Sequence, residues 1–381
     1  MPAIDRNLAF LFLLNTIVAV YWNMMTTLIP LYIRSLNASV FQVSLVLFVG
    51  GLASTATMLP SGILSDRYGR KTLIILSILC LLLSPILYIN ARSWQETIAY
   101  NILASVAFSM FIPARTAMIA DHVKPASLAT AFGLMNLAWP IGGIAGPLIG
   151  GVIADNYGWS GFFYVLPVIV ALALVLSLFL RKTEAVEDAT MKEEGSLTRS
   201  IVLTLTVFLL LHILGNTARG IMGTIFPFYL TEIFHKSKTE VGVFFSAGFG
   251  LATLIAQIPS GLLADKVGRK KAMLYSIFPI PFFSFFFLLS DDYVIMLLIY
   301  MAISSLWSAT WPASSAYLID LSSASKKGFM MGARLTAVRL GFTIGPFIGG
   351  FIWDTFDIAA SFYMVTAIFV GSLVFAFLLK E

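Results

Sequence analysis

Charge is what this sequence has least of. Only 11% of its 381 residues are Asp, Glu, Lys or Arg, against roughly a quarter in ordinary soluble domains, which excludes a soluble enzyme. Cysteine is nearly absent: the single Cys80 can form neither an internal disulfide nor a cysteine metal cluster. Three histidines, His122, His212 and His235, stand far apart and give no metal-ligand spacing. The net charge is +5, but the positive residues are strewn between apolar stretches and build no basic domain, which argues against a nucleic-acid partner. No Gly-x-x-x-x-Gly-Lys-Ser/Thr loop is present to cradle a nucleotide, so the chain is not expected to pump with ATP. No nucleophile–His–acid set or zinc spacing appears either, so neither an enzyme nor a cofactor is expected.

What fills the chain instead is apolar: 59% is hydrophobic and 14% aromatic. About 20 such residues in a run cross the hydrocarbon core as a helix. Runs of this kind lie at 8–33, 40–64, 72–90, 95–121, 128–154 and 159–180, then at 201–231, 239–263, 271–289, 293–320, 328–353 and 358–379. That makes twelve spans, and nearly every residue is expected in helix or short turn, because lipid offers the backbone no water to bond. The first run reaches Tyr32 with no cleavage site and is read as a span, not a signal peptide. Loops assigned to one side hold sixteen positive residues, from Arg6 through Arg67, Arg70 and Lys71 to Lys380; the other side holds four, Arg34, Arg92, Lys236 and Lys238. The asymmetry places both termini in the cytoplasm, as an even number of spans requires, and a plasma membrane is the expected site.

The sequence repeats once. Pro60-Ser61-Gly62-Ile63-Leu64-Ser65-Asp66-Arg67-Tyr68-Gly69-Arg70-Lys71 returns as Pro259-Ser260-Gly261-Leu262-Leu263-Ala264-Asp265-Lys266-Val267-Gly268-Arg269-Lys270. The step is 265 − 66 = 199, and it also carries Asp121 to Asp320, Gly146-Pro147 to Gly345-Pro346, and Gly150-Gly151 to Gly349-Gly350. In the first span the step is 197, taking Pro30 to Pro227 and Trp22 to Arg219. The reading is therefore an all-α membrane protein of two six-helix parallel repeats, residues 1–180 and 200–381, related by an axis along the membrane normal. The highly charged stretch 181–199 joins them as a polar cytoplasmic linker.

Gly62-Ile63-Leu64-Ser65-Asp66-Arg67-Tyr68-Gly69-Arg70-Lys71 resembles the signature of the major facilitator superfamily of secondary transporters, Gly-x-x-x-Asp-x-x-Gly-Arg-Lys/Arg, and the resemblance extends over the whole chain. Gly142-x-x-x-Gly146-Pro147-x-x-Gly150-Gly151 resembles the antiporter motif of that family's drug and metabolite exporters, and Gly341-x-x-x-Gly345-Pro346-x-x-Gly349-Gly350 repeats it. Phe111-Ile112-Pro113-Ala114-Arg115 is similar to runs in macrolide and siderophore exporters. The resemblance implies a cytoplasmic latch at the first motif. Asp66 ends a helix, Gly69 turns the chain, and Arg70 and Asp121 lie near; Gly261, Asp265, Gly268, Arg269 and Asp320 make the second copy. Carboxylates so placed can accept from arginine and sit near a positive helix end. In the second motif, glycines let helices approach and Pro147 or Pro346 can bend them.

Charges inside the spans point to the solute path. An arginine at mid-helix costs roughly 2.5–3.5 kcal/mol on insertion scales, so it should face the bundle interior or a wet cavity. Arg339 and Arg219 rank first and Arg115 next, whereas Arg334, seven residues past Lys327, is expected to snorkel to the cytoplasm. All acids fall in loops or at span ends, and Asn101 stands where the family often carries a buried arginine. Guanidinium groups without acids repel cations, so a neutral amphipathic or anionic solute fits. Tyr21, Trp22, Asn23, Asn136, Trp139, His212, Asn216, Gln257, Trp307 and Trp311 are candidate wall residues, with His212 a candidate proton carrier. The leading expectation is a monomeric alternating-access exporter of a small solute, with protons a candidate coupling ion. Uptake or facilitated flux of an organic anion is the alternative, and a non-transporting receptor or scaffold is the alternative of another class.

Overall fold

The computed structural model describes residues 6–123, 128–181, 198–321 and 327–380. The linker 181–199, apart from its ends, lies outside the described residues, as do Lys124, Lys182, Lys192 and Lys326 from the charge count. The described residues contain helices and no strand. Eleven helices among them are long and apolar enough to cross a bilayer.

The first repeat forms α1 (Arg6–Ser35), α2 (Val40–Tyr68), α3 (Arg70–Ile89), α4 (Glu96–His122), α5 (Leu128–Asn136), α6 (Ala138–Asn156) and α7 (Gly158–Leu178). The second forms α8 (Arg199–Phe228), α9 (Lys238–Phe245), α10 (Ala252–Val267), α11 (Arg269–Ile277), α12 (Ile280–Phe285), α13 (Tyr293–Leu321), α14 (Lys327–Thr355) and α15 (Ile358–Leu378). A 30-residue helix such as α1 is about 45 Å long at 1.5 Å per residue, more than the hydrocarbon core needs. Capping boxes start the second and eighth spans. Ser39 and Ser237 each accept from the third backbone N–H, of Gln42 and Glu240, whose side chains bond back.

Four spans depart from a single α-helix, the seventh only by the π-helical turn at Tyr229–Ile233 that ends it. In the fifth, α5 stops at Asn136 and α6 begins at Ala138, because Pro140 has no N–H for the Asn136 carbonyl. The break thus lies at Leu137, whereas α6 runs through Pro147 without interruption. In the eighth, a π-helical turn at Ser246–Leu251 separates α9 from α10. The ninth, expected at 271–289, is three short pieces: α11, α12 and a 3-10 turn at Phe286–Leu289. Pro279 and Pro281 remove two donors from one helical turn there, and the helix cannot continue through them.

By its contacts the chain divides into two units, Met1–Glu187 with Pro227–Ser246, and Asp188–Phe226 with Ala247–Glu381. The end of the seventh span and the start of the eighth thus group with the first repeat. Inside the first unit α6 packs on α1, α2 on α4, and α9 on α6. In the second unit α13 packs against α10 and α11.

Candidate functional site

The charged motifs form compact clusters. Gly69 (φ 91°) and Gly268 (φ 94°) hold left-handed backbone, which a side chain rarely adopts, so the chain leaves α2 or α10 and starts the next helix within one residue. That turn brings Arg70 back over α2. Its Nη1 lies 2.8 Å from Asp66 Oδ1 and its Nε 3.2 Å from Asp121 Oδ2 at the end of α4. Only 10% of the Arg70 side chain is exposed. The second copy is looser: Arg269 Nη1 pairs with Asp265, but Nε stands 3.6 Å from Asp320 and a third of the side chain is exposed. Hydrogen bonding to Asp265 is the main cause that raises the Arg269 pKa above its ordinary value. Gly62 and Gly261 have open space where a Cβ would stand.

The glycine-proline motifs are docking surfaces. A methyl at Gly142 would lie 2.6 Å from Ala19 Cβ, and one at Gly146 2.6 Å from the Val20 carbonyl oxygen. Gly341 and Gly345 face the Ile213 and Thr217 carbonyls of α8 in the same way, and Gly349 faces Ile221. Gly150, Gly350, Pro147 and Pro346 are buried beside them. Gly151 faces Lys238 and Thr239 at the start of α9, and Gly242 faces Pro147 from the other side. The same contact carries polar ties. Asp155, at the end of α6, accepts from the backbone N–H groups of Lys238 (3.1 Å) and Thr239 (2.7 Å). Ser246 Oγ donates to the Ile144 carbonyl at 2.6 Å. Nearby, Arg34 Nε meets Glu232 Oε1 at 2.7 Å. In the sequence Lys238 counts only as a loop charge; the readable signal was the capping box at Ser237.

The guanidinium groups in the spans find neutral partners. In the first unit Arg115 is buried, and its Nη1 donates to Asn15 Oδ1 at 2.8 Å. Asn15 in turn donates to the Met135 carbonyl at 2.9 Å. In the second unit Arg219 Nη1 donates to Asn216 Oδ1 at 3.3 Å, and its charge lies over the rings of Phe249 and Phe342. Arg334 is not a snorkelling residue. It is 2% exposed, with its guanidinium carbon 4.4 Å from the centre of the Trp311 ring. Depth along the helix suggested an exit to the cytoplasm, but the aromatic ring from α13 supplies a closer place for the cation. Arg339 is half-buried on the same helix. Among the described residues no carboxylate forms an ion pair with Arg115, Arg219 or Arg334.

The candidate wall residues divide. Trp22 stacks on Phe108 at 3.8 Å, and Phe108 meets Trp139 edge-on at 5.6 Å, so three rings cluster in the first unit. In the second, His212 stacks on Phe208 at 4.2 Å and approaches Trp307 at 6.4 Å. The His212 Nδ1 donates to the Phe208 carbonyl at 3.0 Å. Tyr21 and Trp307 are packed in the core. Asn23 donates to its own helix at Ala19, as Asn216 does at His212. Asn136 is exposed and Gln257 half-buried.

A family model described as Major Facilitator Superfamily matches residues 11–216 and 208–381. Multidrug resistance protein MdtG of Proteus mirabilis (strain HI4320) is 24% identical over 366 residues, covering 92% of this chain and 90% of that one. The cis,cis-muconate transport protein of Acinetobacter baylyi (strain ATCC 33305 / BD413 / ADP1) is 24% identical over 343 residues, covering 83% and 80%. The solved structure of a mutant of the nucleoside transporter NupG superimposes with a TM-score of 0.82 at 13% identity, over 99% of this chain and all of that one. That last likeness is one of fold.

Proposed function

This chain belongs to the major facilitator superfamily and is a multi-pass membrane transporter, not an enzyme, and we propose that it exports a small amphipathic or anionic organic solute across the plasma membrane by alternating access. In this reading the two six-helix repeats rock about a site near mid-membrane, with both termini in the cytoplasm. The chain works as a monomer, since it carries both repeats.

One observation carries the choice of solute. Three span arginines have amide oxygen or aromatic faces beside them, and no carboxylate pairs with them among the described residues. A cationic drug would meet uncompensated positive charge in low dielectric, where repulsion is strong. A neutral or anionic solute meets none. The aromatic cluster around Trp22 suits its apolar body. Export is supported by the relatives named for multidrug resistance. Uptake is the second reading, favoured by the relative named for muconate transport.

The test is counterflow in proteoliposomes, with candidate acids, amides and amines, with and without a pH gradient. Export coupled to protons predicts that an inward proton gradient drives solute out of right-side-out vesicles. Uptake predicts the reverse direction, and a receptor or scaffold predicts no flux of any solute.

A further inference from the structure

Arg334 is the buried cation whose environment is least complete. It lies seven residues past Lys327, about 10 Å along the helix from its start. The Trp311 ring covers one face of its guanidinium, so further bonds must be made at the edges. Two of its nitrogens, Nε and Nη2, are buried without a hydrogen-bond partner. These two N–H groups point the same way on one edge of the planar fork, with the spacing of the two oxygens of a carboxylate.

The other arginines sharpen the contrast. Arg115 and Arg219 each give Nη1 to an asparagine oxygen; neither of the two Arg334 edge donors has such an acceptor. On its own helix the next acid is Asp354, 354 − 334 = 20 residues away. On α13, Asp320 lies nine residues beyond Trp311. A water oxygen can accept from both donors but leaves the charge uncompensated, whereas a carboxylate meets both needs. Met330, Ala337 and Val338 stand four before, three after and four after Arg334, on one helical face, and all are buried.

We propose that the second unit holds a subsite for an organic carboxylate, bound side-on by the Nε–Nη2 edge of Arg334 above the Trp311 ring. This rests on the transport reading and narrows it: the solute carries a carboxylate, and Arg334 selects it.

The test uses the full chain in lipid nanodiscs and three acids, benzoate, cinnamate and cis,cis-muconate, each beside its amide. Dissociation constants are measured by calorimetry. For at least one acid, the carboxylate should bind at least about tenfold more tightly than its amide, as expected for a charge-assisted pair. Arg334→Gln should remove that preference while amide affinity stays within about twofold; Arg334→Lys, lacking the fork, should restore less than the full preference. Trp311→Leu, which keeps the charge, should weaken carboxylate binding several-fold and serves if the glutamine variant does not fold. Equal affinity for every acid and its amide overturns the proposal. So does a preference that survives Arg334→Gln, or carboxylate binding untouched by Trp311→Leu. Counterflow keeps the two readings apart: amide flux through Arg334→Gln upholds transport whatever the acids do, and carboxylate binding without any flux removes transport alone.

Discussion

Replacing Gly151 by alanine should separate the start of α9 from α6. The added methyl would lie 2.9 Å from both the Lys238 carbonyl carbon and the Thr239 Cα. Ordinary contact begins near 3.4 Å, so the facing backbone must retreat by 3.4 − 2.9 = 0.5 Å or more. The obstacle is main chain, and no rotamer change relieves it. Overpacking of this kind costs about 1–3 kcal/mol, enough to change a two-state population about 5- to 150-fold. Gly242→Ala meets the same obstacle at Pro147 and Leu148, 2.9 and 3.2 Å away. Gly62→Ala is the control, since nothing stands within 4 Å of its Cβ position. Spin labels at the exposed residues Tyr157 and His235, in a Cys80→Ser background, report the separation by pulsed electron resonance. A longer distance should gain population in Gly151→Ala and Gly242→Ala but not in Gly62→Ala. A distribution in folded Gly151→Ala identical to its parent's would refute the docking argument.

Other expectations follow from the clusters. Asp66→Asn should slow flux in reconstituted vesicles at least about tenfold while insertion is normal, because Arg70 keeps Asp121 at 3.2 Å; undiminished flux would reject a latch. Asp121→Asn should lower thermal stability more than Asp320→Asn, because Arg70 is 10% exposed and Arg269 33%, and exposed pairs contribute only about 0–1 kcal/mol. A larger loss in Asp320→Asn would reverse that ranking. Asn15→Leu orphans the Met135 carbonyl and Arg115 Nη1 together. It should destabilise the protein by about 1–3 kcal/mol per group in denaturant unfolding, and an unchanged midpoint would show that water or lipid replaces both bonds.

Much of the fold was legible because the membrane leaves little choice. Apolar run length gave the spans, and the step of 199 gave the duplication; both are local or periodic signals. The ninth span misled because hydropathy does not register Pro279 and Pro281 as interruptions of one turn. The charged cluster at the first motif was legible, since Asp66 and Arg70 are one helical turn apart and Asp121 ends a helix on the same side; only the distances were left to geometry. Arg334 was misread for a different reason. Its depth was judged along its own helix, whereas its place is set by Trp311, which a neighbouring helix contributes. Asn15 and Arg115 are 100 residues apart, and nothing in a linear reading joins them. The seat of α9 on α6 was hidden in the same way: its glycines meet facing backbone, and Asp155 and Ser246 tie to main-chain atoms 83, 84 and 102 residues away, so no pair of residue types marks it.

Alternating access makes one demand that no static contact meets, namely that opening one side closes the other. The direct measurement pairs the Tyr157–His235 distance with a second one between labels at Arg67 and Lys266, equivalent positions of the two signature motifs under the 199 step. Driving the first pair apart with Gly151→Ala should shorten the second in the same molecules. If the first lengthens while the second holds still or lengthens too, the two repeats do not rock against each other and the carrier mechanism is wrong.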